Sequence, residues 1–493
     1  MIVETPTPEG DGAAALTARS AGVTVAAQSV ARAITLAVVV LSTALVAREL
    51  TLDRYADWVT ILSLVTLAAV LLDPAISPAV VRRLTQSRDQ APAPATLRAV
   101  RIGLGVLTLA IVTGLSVALR GTGAFVLALA LGGQIVARAD VLNATPFLQT
   151  DHRLHRQTAL EAVVAAIGLS ALAVAVATEA SAPVMALVGF TVPAFLLAVL
   201  VRRELARTPS ARALAAERGG ASTDGERALV RSLAREVAPL AAALALTTAY
   251  TRVYTVFLNA AEDAADVARY LFAFQFVEQI IVVAGIVGGA LLPIIAARGR
   301  SVRLTHDHVV HELATAMTAL GAIAAAALIG FAPLVCRLIG GPKLAPADRY
   351  LQLVAPLSAL IFVAFVLGYV YIAMERGGAY LRFNAAALAF NLAANAALTL
   401  TVGASATARI SWATELLVVT LAFAPLARGS RTGRTAAARI AAIVAVTVAG
   451  AELAGGDVLP PAVAGVGVAL IAAALAAGPL RRFAEAVLRP DRS

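Results

Sequence analysis

Residues 201–236 read VRRELARTPSARALAAERGGASTDGERALVRSLARE. The stretch holds eight arginines (Arg202, Arg203, Arg207, Arg212, Arg218, Arg227, Arg231 and Arg235) and the breakers Gly219-Gly220 and Asp224-Gly225. No apolar run in it is long enough to bury a surface, so it is expected to be a solvated linker. On both sides lie hydrophobic segments of about 20 residues, the length that crosses roughly 30 Å of hydrocarbon. The spans predicted before it are 22–48, 57–81, 101–119, 124–149, 158–178 and 184–201. Those after it are 237–258, 268–297, 309–335, 348–374, 380–402, 406–426, 437–454 and 459–478. The stretch is therefore predicted to join two membrane-embedded halves.

Composition supports the same class. The chain has 493 residues, 60% hydrophobic and 14% charged, with a mean hydropathy of +0.84. A soluble protein of this size needs far more polar surface, so a polytopic all-α membrane protein is expected. The single cysteine, Cys336, excludes an intrachain disulfide and a multi-cysteine metal site. A pI near 10.5 is compatible with nucleic-acid binding, but in so apolar a chain it reads as loop charge, and no nucleic-acid partner is expected. Glu4, Glu9 and Asp11 precede the first span without a basic region, so the first helix is expected to be retained in the membrane.

Orientation follows from the positive charges. With the N-terminus inside, twenty-nine of the forty basic residues fall on the cytoplasmic side, eight on the other, and Arg32, Arg138 and Arg252 inside spans. Both termini are predicted to be cytoplasmic, in a cell (inner or plasma) membrane. The organisation is a tail (1–21), a first six-helix lobe (22–201), the connector (202–236), a second six-helix lobe (237–427), a terminal helix pair (428–480) and a tail (481–493). About fourteen helices result. Tyr55, Pro78 and Arg83 recur as Tyr270, Pro293 and Arg298 at a common offset of 215 residues. Six spans plus six in the same orientation imply a parallel repeat, which places a substrate site at the interface of the repeats.

The unit TLDRYADWVTILSLVTLAAVLLDPAISPAVVRRL (51–84) resembles the start of Wzx-type polysaccharide flippases of the MOP exporter superfamily. There a short aromatic loop precedes a second helix with an Asp near its inner end and a basic pair. FNAAALAFNLAANAALTLTVGASATARISWATELL (383–417) resembles that family's Asn-rich eleventh helix, Gly-Ala turn and acid-bearing twelfth helix. Pro74 stands where the family usually has Gly. The resemblance implies a MATE-like bundle that moves a polyprenyl-diphosphate-linked oligosaccharide from inner to outer leaflet by alternating access, for cell-surface polysaccharide synthesis. It implies a lipid-linked oligosaccharide and membrane lipid as partners, H+ or Na+ as a coupling ion, and no cofactor.

A charge at mid-bilayer costs about 2.5–3.5 kcal/mol, so intramembrane charges should face a cavity or a partner. Arg32 follows Gln28 by one turn, Arg138 follows Gln134, and Arg252 shares a face with Thr248, Thr255 and Asn259. Guanidinium matches phosphate oxygens with a two-pronged, permanently charged fork. Arg32, Arg138 and Arg252, with Gln28, Gln134, Gln275 and Asn391, are the candidate substrate-binding residues. Snorkelling, or an internal pair such as Arg138 with Asp140, is the competing reading. The membrane carboxylates are Asp73, Asp140, Glu161, Glu278 and Glu415; Asp140, Glu278 and Glu415 are the candidate ion-coupling groups, set against structural partnership, and Asp73 reads as structural. Asn384, Asn391 and Asn395 share one helix face, and their amides either meet sugar hydroxyls or join helices. His306, His308 and His311 read as a solvated loop, not a metal site.

There is no Gly-rich nucleotide loop of the GxxxxGK[ST] kind and no sizeable outer domain, so no catalytic constellation is expected. Besides the polysaccharide flippase, two readings remain open. One is a lipid II flippase or small-molecule antiporter of the same superfamily; the other is a membrane glycosyltransferase or polymerase.

Overall fold

The computed structural model describes residues 30–31, 33–72, 76–86, 88–151, 153–218, 222–299, 308–374, 376–428 and 430–488. All regular structure among them is helical. In order the helices are α1 (33–49), α2 (Leu52–Leu71), α3 (Ile76–Gln86), α4 (Pro94–Arg120), α5 (Phe125–Thr150) and α6 (Leu154–Ala177). Then come α7 (Ala182–Ala206), α8 (Pro209–Arg218), α9 (Thr223–Arg252), α10 (Tyr254–Ala261), α11 (Ala264–Gly299) and α12 (His308–Gly340). The last are α13 (Asp348–Val354), α14 (Pro356–Ala373), α15 (Gly377–Val402), α16 (Ala404–Ala427), α17 (Arg431–Gly455) and α18 (Pro461–Leu488). Ten described helices are long and apolar enough to cross a membrane, and eleven if α13 and α14, bent by 46° at Pro356, are one span. The chain is a polytopic all-α membrane protein. Three of the fourteen predicted spans fall on helices outside this set: α1, α2 with α3, and α9 with α10. Pro146 lies within the continuous helix α5.

The chain divides into two compact units. The first is Met1–Leu45, Ala75–Ile111 and Leu129–Val237; the second is Val46–Pro74, Val112–Ala128 and Ala238–Ser493. The connector belongs to the first, while residues 46–74 and 112–128 pack with the second.

In the first unit the connector is folded, contrary to the expectation of a solvated linker. Its arginines are interrupted at helical spacing, so one face of α8 and of early α9 is apolar even though no apolar run exists. Ala211 and Leu214 of α8, and Leu233 and Val237 of α9, are buried with Ile76, Val80, Leu84, Leu97 and Phe147. Each such leucine contributes about 1.5–3 kcal/mol when taken from water. Arg83 completes the join. It is 7% exposed and donates to Glu236 (2.8 and 3.1 Å), Ser232 Oγ (3.0 Å) and the Gln90 carbonyl (2.8 Å). Arg101, also fully buried, donates to Ser77 Oγ at 3.0 Å. These two arginines, counted as loop charge in the sequence, are internal clamps.

In the second unit small residues let helix backbones approach closely, as lipid-embedded packing requires. A Cβ at Gly321 of α12 would stand 2.5 Å from the Ser358 carbonyl of α14. The turn between α15 and α16 falls at Gly403, whose φ of 85° no side chain adopts readily. A Cβ there would lie 2.0 Å from Glu262 Oε1, which accepts the Ala404 N–H. His311 is not in a solvated loop. It sits in the first turn of α12, 1% exposed, with Nε2 3.0 Å from the Leu426 carbonyl and its ring edge-on to Phe423. His306 lies outside the described residues.

Candidate functional site

The second unit carries a polar seam along one face of α2. Asp53, Asp57, Thr60, Ser63 and Thr66 recur every three or four residues, so they line one stripe of an otherwise apolar helix. At one end Arg120 Nε meets Asp57 Oδ1 at 2.5 Å. Next, Thr60 and Asn259 exchange side-chain hydrogen bonds at 3.3 Å, and Ser63 Oγ lies 3.1 Å from Thr255 Oγ1. Beyond them a cavity of about 20 Å³ is lined by Val59, Leu62, Ser63, Thr66, Leu271, Gln275 and Glu278. That volume holds one water-sized guest. Thr255 and Asn259 were placed on the Arg252 face by spacing, and they do point to α2. The hydroxyls of the seam, Thr60, Ser63 and Thr66, carry no charge to announce them; their signal in the sequence is their period on α2.

Arg252 closes this seam. It is the last residue of α9, where the helix dipole favours a cation. Its guanidinium pairs with Glu278 and lies 5.9 Å over the Phe274 ring. The side chains are 10% and 22% exposed. Two candidates for different tasks, a phosphate-binding arginine and an ion-coupling carboxylate, are thus each other's counter-charge. Arg252 as it stands offers no uncompensated charge to a ligand, and Glu278 none to a cation. Gln275 lines the same cavity.

Glu415 is a different case. It is 5% exposed and accepts a hydrogen bond from Tyr250 Oη at 3.1 Å. No ion pair to it occurs among the described residues. A carboxyl group sealed off in this way requires either its own proton or a cation. One residue away, Thr414 accepts from Asn391 Nδ2 at 2.8 Å, and Asn395 donates to Asn391 Oδ1 at 2.9 Å. Thr399 continues the chain to Asn395 Oδ1 and Thr407, at 2.8 and 2.9 Å. Asn391, 2% exposed, therefore joins α15 to α16, with its Nδ2 engaged by Thr414 and its Oδ1 by Asn395.

In the first unit Asp140 is held in a two-pronged pair by Arg98, Nε–Oδ1 2.6 Å and Nη2–Oδ2 3.2 Å. The pair imagined between Asp140 and Arg138 does not form: two residues along a helix point about 200° apart. Arg138 sits at the middle of α5, exposed, in no ion pair among the described residues. Gln134, one turn before it, turns back to the Leu131 carbonyl at 2.8 Å. Glu161 accepts from Gln157 at 2.9 Å, a local structural bond. Arg32, Gln28 and Asp73 lie outside the described residues.

The sequence matches no family model and no curated protein. Its fold does match solved structures. A lipid II flippase MurJ, in an inward closed conformation, superposes with a TM-score of 0.68 at 11% identity, covering 94% of this chain and 99% of its own. An inward-facing multidrug resistance MATE family transporter of the MOP superfamily gives 0.57 at 13%, over 83% and 95%. A eukaryotic MATE transporter gives 0.51 at 14%, over 85% and 97%. The chain has the same fold as these transporter structures. The bundle implied by residues 51–84 and 383–417 is the one found, and identities this low establish the fold alone. MurJ is matched over nearly the whole of both chains, whereas the two MATE structures cover 83% and 85% of this chain.

Proposed function

We propose that the protein is a flippase that carries a polyprenyl-diphosphate-linked oligosaccharide across the membrane by alternating access, with both termini cytoplasmic in a cell membrane. The observation that carries the proposal is Arg138. A permanently charged fork halfway along an apolar span, without an internal counter-ion among the described residues, is costly unless an anion visits it. A diphosphate supplies that anion with matching geometry. On α5, Asp140, Val136 and Ala137 face α4 and α7, and Arg138 faces the opposite way with Gln134. Of the candidate arginines among the described residues, Arg252 is paired with Glu278 and Arg138 is not, so the role is given to Arg138; Arg32 lies outside those residues. Glu415 is the coupling carboxyl, taking a proton or Na+ as the bundle changes conformation.

Arg138→Gln should abolish export while the protein is made and inserted at the normal level. The readout is the lipid-linked glycan that accumulates on the cytoplasmic leaflet after the wild-type gene is replaced. Normal export by Arg138→Gln would remove this proposal. A second reading, a lipid II flippase, is favoured by the near-complete superposition on MurJ. It predicts that the accumulating glycolipid is the peptidoglycan precursor and that the chain rescues cells depleted of their own lipid II flippase.

A further inference from the structure

We infer that the groove between α4, α5 and α7 in the first unit is a binding site for one monoanionic glycerophospholipid. The cavity there is about 130 Å³ and is lined by Arg98, Ile102, Val136, Ala137, Asp140, Phe195, Ala198, Val199 and Arg202. That is the space of roughly four waters at about 30 Å³ each, yet its walls are apolar except at one end. The polar end holds two guanidinium groups and one carboxylate. Arg98 and Asp140 satisfy one another. Arg202 is exposed and in no ion pair among the described residues, because the neighbouring acid, Glu204, is taken by Arg156 at 2.7 Å and Arg153 at 3.5 Å. The rim therefore carries one uncompensated positive charge.

The surroundings place this rim at a membrane–water boundary. On α7, Val192, Phe195, Leu196 and Val199 form an exposed apolar stripe ending at Arg202 and Arg203. On α4, Val106, Leu107 and Ile111 are exposed in the same way beyond Arg98 and Ile102. Side chains of that size left open along a spanning helix face acyl chains. From Arg202 to Phe195 is seven residues, about 10 Å along the helix, so a headgroup at Arg202 lays the start of its chain against Val199 and Phe195. One turn beyond Ile102, α4 lies unusually close to α5: a Cβ at Gly105 would be 3.1 Å from the Ala139 Cβ. Basic pockets between spanning helices bind anionic headgroups by this combination. A single free charge matches a single phosphodiester.

The site is on the face of α5 turned away from Arg138, so it is independent of the transport proposal. The test is native mass spectrometry of the full-length protein in detergent, with phosphatidylglycerol or phosphatidylcholine added at equal concentration. The wild type should retain one phosphatidylglycerol in preference to phosphatidylcholine. Arg202→Gln should lower that preference about fivefold, the value of one cation near anionic lipid, whereas Arg203→Gln, outside the groove, should leave it within twofold. Val199→Trp should abolish retention with every charge intact; all three variants lie at exposed positions, and their unchanged elution by size exclusion guards against misfolding. Equal losses in Arg202→Gln and Arg203→Gln, no preference in the wild type, or displacement by an equimolar polyprenyl diphosphate would each overturn the assignment.

Discussion

Consider the removal of one partner from the Arg252–Glu278 pair. The two side chains are 10% and 22% exposed, so neutralising Glu278 leaves a guanidinium largely cut off from water, over the Phe274 ring and without a counter-charge. Breaking a buried pair this way costs 3–5 kcal/mol, and about 3 kcal/mol is expected here because both groups retain some exposure. That is roughly a hundredfold rise in the unfolded population. Removing both charges should cost much less, since the expensive species is the orphan, so Arg252→Gln combined with Glu278→Gln should return to within about 1 kcal/mol of wild type. The protein carries its own reporter. Its single cysteine, Cys336, lies in the same unit and is fully buried, so a thiol-reactive fluorogenic dye reads unfolding directly. Glu278→Gln should label at a markedly lower temperature and the double variant near the wild-type one. If Glu278→Gln labels like wild type, or the double variant is as weak as the single, the pair does not hold the seam and Arg252 is available to a ligand after all.

Two further outcomes follow from the same reasoning. Arg83→Ala removes a side chain that binds Glu236, Ser232 and the Gln90 carbonyl at once, at a cost of about 2–3 kcal/mol. Hydrogen exchange across 226–237 should accelerate by roughly thirty- to a hundredfold while α12 is unaffected, and unchanged exchange would refute the clamp. Glu415→Gln keeps an acceptor for Tyr250 and removes the group that takes a proton or cation. Its melting temperature should be at least that of wild type, and transport should lose its dependence on an imposed H+ or Na+ gradient; retained dependence would place coupling elsewhere.

Helix positions were legible because a spanning segment announces itself in apolar length alone: eleven of the fourteen predicted spans fall on described helices long and apolar enough to cross a membrane, with α13 and α14 taken as one. The connector was not, because its burial rests on spaced single residues and not on an apolar run. A helix that docks from water needs only Ala211, Leu214, Leu233 and Val237 at the right spacing, and arginines between them do not interfere. The turn at Gly403 was visible as a Gly-Ala pair, but its reason, the approach of the Glu262 carboxylate, is a long-range fact.

The site shows the deeper difficulty. A charge inside a membrane is conspicuous in a sequence, but its meaning depends on whether an opposite charge is near, and that is set by packing between segments distant along the chain. Arg252 and Arg138 look alike as letters. Twenty-six residues separate Arg252 from the carboxylate that cancels it, a distance α10 and α11 close by packing side by side. Asp140, only two residues from Arg138, points to the opposite face and is claimed by Arg98, 42 residues away. Proximity in sequence thus misleads in both directions, and among the described residues the pairing pattern leaves Arg138 at mid-span without a counter-ion. By the same logic Arg202 is set apart from Arg203 not by its charge, which they share, but by the groove beneath it and by Glu204 being engaged elsewhere.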